Sequence, residues 1–186
     1  MTALPHYFIA VPADKIVKEK LANWVKREGP PFQKFVDQDD YHITLVFLGA
    51  VEPLMLEKLK TKLEIIAKEH QQFLLTLESI GSFGQKQAPR VFWASVEKEK
   101  KLYDLQAEVY KTCQELGFKL EKREFSPHIT IARKYLGEGS YVDEQLKRTF
   151  QSSFKKETWT VSSFVIYQTH LKRTPKYEVI ASFDLK

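Results

Sequence analysis

A chain of 186 residues, 43% of them hydrophobic, can bury a sizeable core and falls within the range of one domain. Its longest uncharged apolar runs, Tyr7 to Pro12 and Ile43 to Val51, are far shorter than the ~20 residues a bilayer-spanning helix needs, which excludes such a span. The formal charge of +5, from 29 Lys and Arg against 24 Asp and Glu, favours an anionic ligand but is spread over a mixed surface and excludes a dense basic arm.

Met1 to Pro12 carries no basic leader ahead of its apolar stretch and does not read as a secretory signal. Within it, His6 to Val11 reads as a short buried strand, and Asp14 can cap a helix with the apolar stripe Val17, Leu21, Trp24 and Val25, ended by Gly29-Pro30-Pro31. Tyr41 to Leu48 reads as a strand closed by Gly49. Pro53 opens a second helix with the stripe Leu56, Leu59, Leu63 and Ile66, and Phe73 to Ile80 follows as a strand. Arg90 to Val96 is the next predicted strand. After it, Lys98 to Lys101 reads as a solvated helix start, and that helix carries Leu102, Leu105, Val109 and Leu116 up to a stop at Gly117. It also holds Cys113, the only cysteine, which rules out an intramolecular disulfide and fits a reducing, cytoplasmic compartment. Pro127 to Arg133 is a strand, Gly137 and Gly139 punctuate the chain, and Tyr141 to Phe150 is a short helix. Thr158 to Gln168 and Tyr177 to Leu185 read as a closing strand pair joined by the loop from Thr169 to Lys176.

Each half therefore runs strand, helix, histidine strand, helix, strand, with one further strand added to the second half. The expected fold class is α+β with antiparallel sheets. Residues 1–186 are expected to form a single domain of two similar lobes facing each other across a groove, because no linker of disordered composition separates the halves.

The informative motif is His-Ile-Thr, which occurs twice: in Tyr41-His42-Ile43-Thr44-Leu45-Val46-Phe47-Leu48-Gly49 and in Ser126-Pro127-His128-Ile129-Thr130-Ile131-Ala132-Arg133. Side chains alternate along a strand, so His42 and Thr44 share one face while Ile43, Leu45 and Phe47 share the other. His128 and Thr130 are likewise separated from Ile129 and Ile131. A single His-x-Thr is an ordinary strand fragment. With this chain's counts of His and Thr, however, only about 0.3 such spacings arise by chance, and the two copies sit at equivalent places in the apparent repeat.

The residue types fit one chemistry. Opening a cyclic phosphate needs one group to take a proton from water and another to give one to the departing ribose oxygen. Histidine, with an ordinary pKa of about 6.5, serves in either part at neutral pH. Threonine hydroxyls on the same face can donate to non-bridging phosphate oxygens, hold phosphorus between the imidazoles and stabilise the growing charge. The scheme calls for no metal and no cofactor.

The paired motifs resemble those of the two-histidine phosphoesterase superfamily, in particular its RNA 2',3'-cyclic phosphodiesterases, also called 2'-5' RNA ligases. The resemblance extends through His6 to Pro12, the central Pro89 to Ala94, and Phe164 to Leu171 with Tyr177-Glu178-Val179. It implies a fold of two antiparallel-sheet lobes related by a pseudo-two-fold around a central groove, with helices outside. It also implies His42 and His128 as catalytic residues, Thr44 and Thr130 as substrate-binding residues, and Arg133 as a further phosphate contact. The implied substrates are RNA 3' ends or nucleotides carrying a 2',3'-cyclic phosphate, hydrolysed to the 2'-phosphate, with ATP-independent 2'-5' joining as the reverse reaction. Within that reading His128 activates water and His42 protonates the 3' oxygen, an assignment the pseudo-symmetry leaves reversible. Strict alternation from His128 puts Arg133 on the apolar face, so its place in the groove requires the strand to end or twist.

Three other readings stay open: a related phosphoesterase for a small cyclic phosphate, a zinc site using the two histidines, and a non-catalytic RNA-end-binding module. The zinc reading lacks a third ligand, a HExxH motif and a cysteine cluster. His6, His70 and His170 lack the following threonine and read as surface or turn residues. Tyr7 or Phe8 near the groove could stack on a terminal base, although core packing explains either ring as well. No obligate protein partner is expected.

Overall fold

The computed structural model describes residues 4–138 and 144–186. The first half of the chain forms β1 (His6–Pro12), α1 (Lys15–Glu28), β2 (Phe32–Phe35), β3 (His42–Ala50), α2 (Pro53–Glu69) and β4 (Phe73–Gln85), with a short 3₁₀ turn at Gln38–Asp40. The second half forms β5 (Ala88–Val96), α3 (Lys100–Glu115), β6 (His128–Tyr135), α4 (Glu144–Ser153), β7 (Thr158–Val161), β8 (Ser163–Thr169) and β9 (Tyr177–Asp184).

The helices form where their caps and stripes direct. The Asp14 carboxylate accepts the Ile16 N–H at 2.8 Å to start α1, and Gly29 closes it at φ 55°, a left-handed conformation that glycine adopts without a Cβ penalty. Pro53 occupies the first turn of α2, where its missing N–H would have no partner in any case. Leu21 on α1, Leu59 and Leu63 on α2, and Leu102, Leu105 and Val109 on α3 are completely buried. Removing each such side chain from water contributes about 2 kcal/mol. Trp24 of α1 packs edge-on against Phe150 of α4, while α2 packs on α3, so each helix pair joins one helix from each half.

All strand pairs are antiparallel, in the order β7-β4-β5-β6-β3-β1-β8-β9, with β2 beside β6. The two central strands, β6 and β3, meet through the pair Ile43↔Ile129, and each is flanked outward by three strands in mirrored order. The α+β fold with antiparallel lobes is thus as expected, but the lobes are not the sequence halves. β4, from the first half, completes the lobe of β5 and β6. β8 and β9, from the second half, complete the lobe of β1 and β3.

Several local expectations change. The expected strand Thr158 to Gln168 is two strands: β7 pairs with β4, the chain crosses at Ser162, and β8 pairs with β1. Gly49 does not end its strand but sits inside β3 at φ 71°, opposite Tyr7 at a register shift, so it serves a bulge. β2 has no counterpart among the expected elements. Gly139 and the first three residues of the expected helix from Tyr141 lie outside the described residues, and α4 runs from Glu144.

Candidate active site

The two His-x-Thr segments are the first residues of the two central strands, β3 and β6. Together with Arg133 and Tyr177 they line a groove of about 620 Å³ between the lobes. Ile43 and Ile129, both almost completely buried, pair across the junction beneath it and fix the two motifs side by side. All five residues expected to form the site, His42, Thr44, His128, Thr130 and Arg133, are brought to this one groove.

Arg133 reaches it through a register shift. Phe92 pairs with Ala132 and Trp93 with Thr130, so Ile131 has no partner on β5. This bulge reverses the alternation: Ala132 goes into the core at 0% exposure and Arg133 comes out on the groove side. β3 does the same at the equivalent place, where Ile9 pairs with Val46 and Ala10 with Thr44, leaving Leu45 extra. Phe47, expected on the apolar face, is therefore 53% exposed and lines the groove, in the position on β3 that Arg133 holds on β6.

The imidazoles are held in matching ways. His42 Nδ1 donates to the backbone carbonyl of Asp40 at 2.6 Å, and His128 Nδ1 donates to that of Ser126 at 2.8 Å. A carbonyl only accepts, so in the neutral rings the proton sits on Nδ1 and Nε2 keeps its lone pair. His42 Nε2 accepts from the Thr44 hydroxyl at 3.1 Å. The Thr130 hydroxyl, also in the groove, has no hydrogen-bond partner among the described residues.

Aromatic rings wall each histidine. The His42 ring lies 4.9 Å from Phe8, 5.6 Å from Tyr167 and 5.2 Å edge-on from Tyr177, while Phe83 meets the His128 ring edge-on at 4.9 Å with Trp93 at 6.3 Å. Phe8 is itself buried, so its part is to wall the histidine, and Tyr7 belongs to the core. Burial is the main reason that the His42 pKa falls to about 4. The bond to Asp40 opposes the fall, and the charges of Lys18, His128 and Arg133 add to it. The His128 pKa is lowered too, again chiefly by burial, with Arg123 and Arg133 contributing and the Ser126 bond opposing. Both rings are thus held neutral in a groove edged by cations, an arrangement an incoming anion would reverse.

Sequence reasoning missed Asp40, the only polar or charged residue among those described that is fully buried. Its carboxylate accepts the N–H groups of Lys176 at 2.8 Å and Tyr177 at 3.0 Å, tying the loop between β8 and β9 to the segment that carries His42. The signal available was its place two residues before His42, matched by Ser126 before His128. The other histidines lie elsewhere: His70 bonds Glu108 and His170 bonds Glu178, each at 2.7 Å. Cys113 is buried and its thiol pKa is pushed up to about 12. Among the described residues no group of three or more His, Cys, Asp or Glu side chains is placed to hold a metal ion, and no helix is long and apolar enough to cross a membrane.

The sequence model of the 2'-5' RNA ligase superfamily matches residues 12–173, and the chain belongs to that superfamily. Among curated relatives, the RNA 2',3'-cyclic phosphodiesterase of Bacillus subtilis (strain 168) is 36% identical over 182 residues, covering 97% of each protein. The RNA 2',3'-cyclic phosphodiesterase of Geobacillus stearothermophilus is 41% identical over 182 residues, 97% of this chain, and the chain spans 57% of that longer protein. Among solved structures, E. coli LigT without ligand superimposes with a TM-score of 0.77 at 22% identity, covering 100% of this chain and 99% of that one, a likeness of fold.

Proposed function

We propose that this protein hydrolyses the 2',3'-cyclic phosphate of RNA 3' ends, and of nucleosides, to the 2'-phosphate, with His42 and His128 as its acid–base pair. The observation that carries the reading is the pair of half-buried imidazoles, each fixed by an Nδ1–H bond to the carbonyl two residues back, beside a threonine hydroxyl in one groove. The curated relatives that share most of this chain bear the same activity in their names.

In this mechanism the phosphate lies between the two Nε2 atoms. One histidine takes a proton from water as its oxygen attacks phosphorus in line, and the other, protonated once the anion is bound, gives its proton to the departing ribose 3' oxygen. Thr44, giving up its bond to His42 Nε2 as the phosphate arrives, and Thr130 donate to non-bridging oxygens, and the Arg133 guanidinium offsets the charge that develops on them. The two lobes act as one domain, since each histidine strand is supported by a strand from the other half. A cytoplasmic setting belongs to the same reading and draws on the single buried thiol.

The test is turnover of a nucleoside 2',3'-cyclic phosphate in excess chelator, resolving 2'- from 3'-phosphate. Wild type should give the 2'-phosphate, and His42→Ala and His128→Ala should each lose about 10²–10⁴-fold in kcat with melting temperatures retained. Activity abolished by the chelator would instead favour a metal site, and RNA binding without turnover would favour a binding module.

A further inference from the structure

A second cavity of about 770 Å³ adjoins the catalytic groove, and Val36, Asp40, Arg133 and Tyr177 line both. It is built by β2, the end of α1, the 3₁₀ turn and the loop before β9. Its lining includes Lys26, Lys34 and Lys176, all exposed, and none of the three ammonium groups has an ion-pair partner among the described residues. Lys34 lies directly across the β2–β6 ladder from Arg133, and like charges placed so destabilise a sheet unless an anion lies against them. Phe35, next along β2, is 49% exposed on the same cavity and touches no other aromatic ring among the described residues.

The acidic residues of the lining mostly have other duties. Asp37 caps the 3₁₀ turn by accepting the Asp39 N–H at 2.9 Å, and Asp40 spends its carboxylate on the loop amides. Among the groove residues that do not line the second cavity the charges are different: Arg123 pairs with Glu121, and Glu124 follows in the chain.

Building on the reading above, we infer that this second cavity holds the nucleotide 5' to the cyclic phosphate, with Lys34 and Lys176 against its phosphodiester and Phe35 stacked on its base. Single strands are commonly bound this way, by cations along the backbone and a ring for the base. The site makes the protein a reader of polynucleotide ends: Arg133 faces the terminal phosphate on one side and the chain behind it on the other.

The experiment compares a trinucleotide ending in a 2',3'-cyclic phosphate with a nucleoside 2',3'-cyclic phosphate at low salt, for wild type, Lys34→Gln, Lys176→Gln and Phe35→Ala. Wild type should favour the trinucleotide through KM. The variants should lose roughly tenfold on the trinucleotide and nothing on the nucleoside substrate, and Lys34→Gln should reduce the salt slope by about 0.7. Equal turnover of both substrates by wild type, or variants that affect both alike or neither, would overturn the inference. If wild type turned over neither substrate, the failure would lie with the proposed activity. Binding of a fluorescent trinucleotide ending in a 3'-phosphate, by wild type against the same variants, would then decide the site by itself.

Discussion

Asp40 joins two parts of the site that are 136 residues apart in sequence. Its carbonyl sets the tautomer of His42 and its carboxylate holds the amides of Lys176 and Tyr177, whose ring in turn stands edge-on to His42. Asp40→Ala leaves two partly buried amides unpaired, so urea denaturation should show a loss of about 2–4 kcal/mol. The same change should lower kcat more than it raises KM, because it frees the His42 wall without touching a phosphate contact, and Asp40→Asn should fall between. The burial of His42 makes a separate prediction. Its folded pKa of about 4 lies below the ordinary value of about 6.5, so the unfolded chain takes up the proton first. The stability gained by keeping the ring neutral is complete above pH 6.5 and is lost as pH falls toward 4. The loss amounts to about 3 kcal/mol, which His42→Asn should not show in denaturation curves taken at each pH. Inorganic phosphate in the groove should oppose the loss by favouring the charged ring.

At the scale of elements, α1, α2 and α3 were legible because each carries an apolar stripe between start and stop signals, and Asp14, Gly29 and Pro53 act as read. The histidine strands were legible from His-x-Thr alternation, but their bulges were not. The extra residues at Leu45 and Ile131 arise from pairing with β1 and β5, and nothing in Leu45 or Ile131 alone announces them, so Phe47 was assigned to the wrong face and Arg133 had no geometric account. β2 was missed because Phe32-Gln33-Lys34-Phe35 is too short to display a period. The division between β7 and β8 was missed because Trp159, Val161, Phe164 and Ile166 form one apolar series across the crossing at Ser162. β4 supplies the prediction at this scale. Gly81 lies flat under the Trp93 ring, and a Cβ there would overlap it. Gly81→Ala must therefore displace the Trp93 ring, which with Phe83 walls the His128 ring. We expect a loss of about 1–3 kcal/mol in thermal or chemical denaturation, together with a fall in turnover, whereas a change at the exposed Phe83 should move turnover alone.

For the molecule as a whole, the repeat of strand, helix and histidine strand was visible in the sequence, and so was a groove between two similar lobes. What the sequence could not supply was which strand goes to which lobe. Long-range pairing depends on the twist and edges of the finished sheets, and the sequence of β4 or β8 favours neither neighbour. The exchange of those strands also bears on the order in which the protein is made. β1 and β3 leave the ribosome well before β8, the neighbour of β1 on its outer side, which follows β4, β5, β6 and β7 in the chain. Until β8 emerges, the β1 edge, with Ile9 and Ala10 destined for the deepest burial, stands open to pairing with any passing strand. The hand-over of strands that joins the two histidines across one groove thus also leaves the nascent chain with an exposed sheet edge while the segment from β2 to β7 is translated, the interval in which a chaperone would find it.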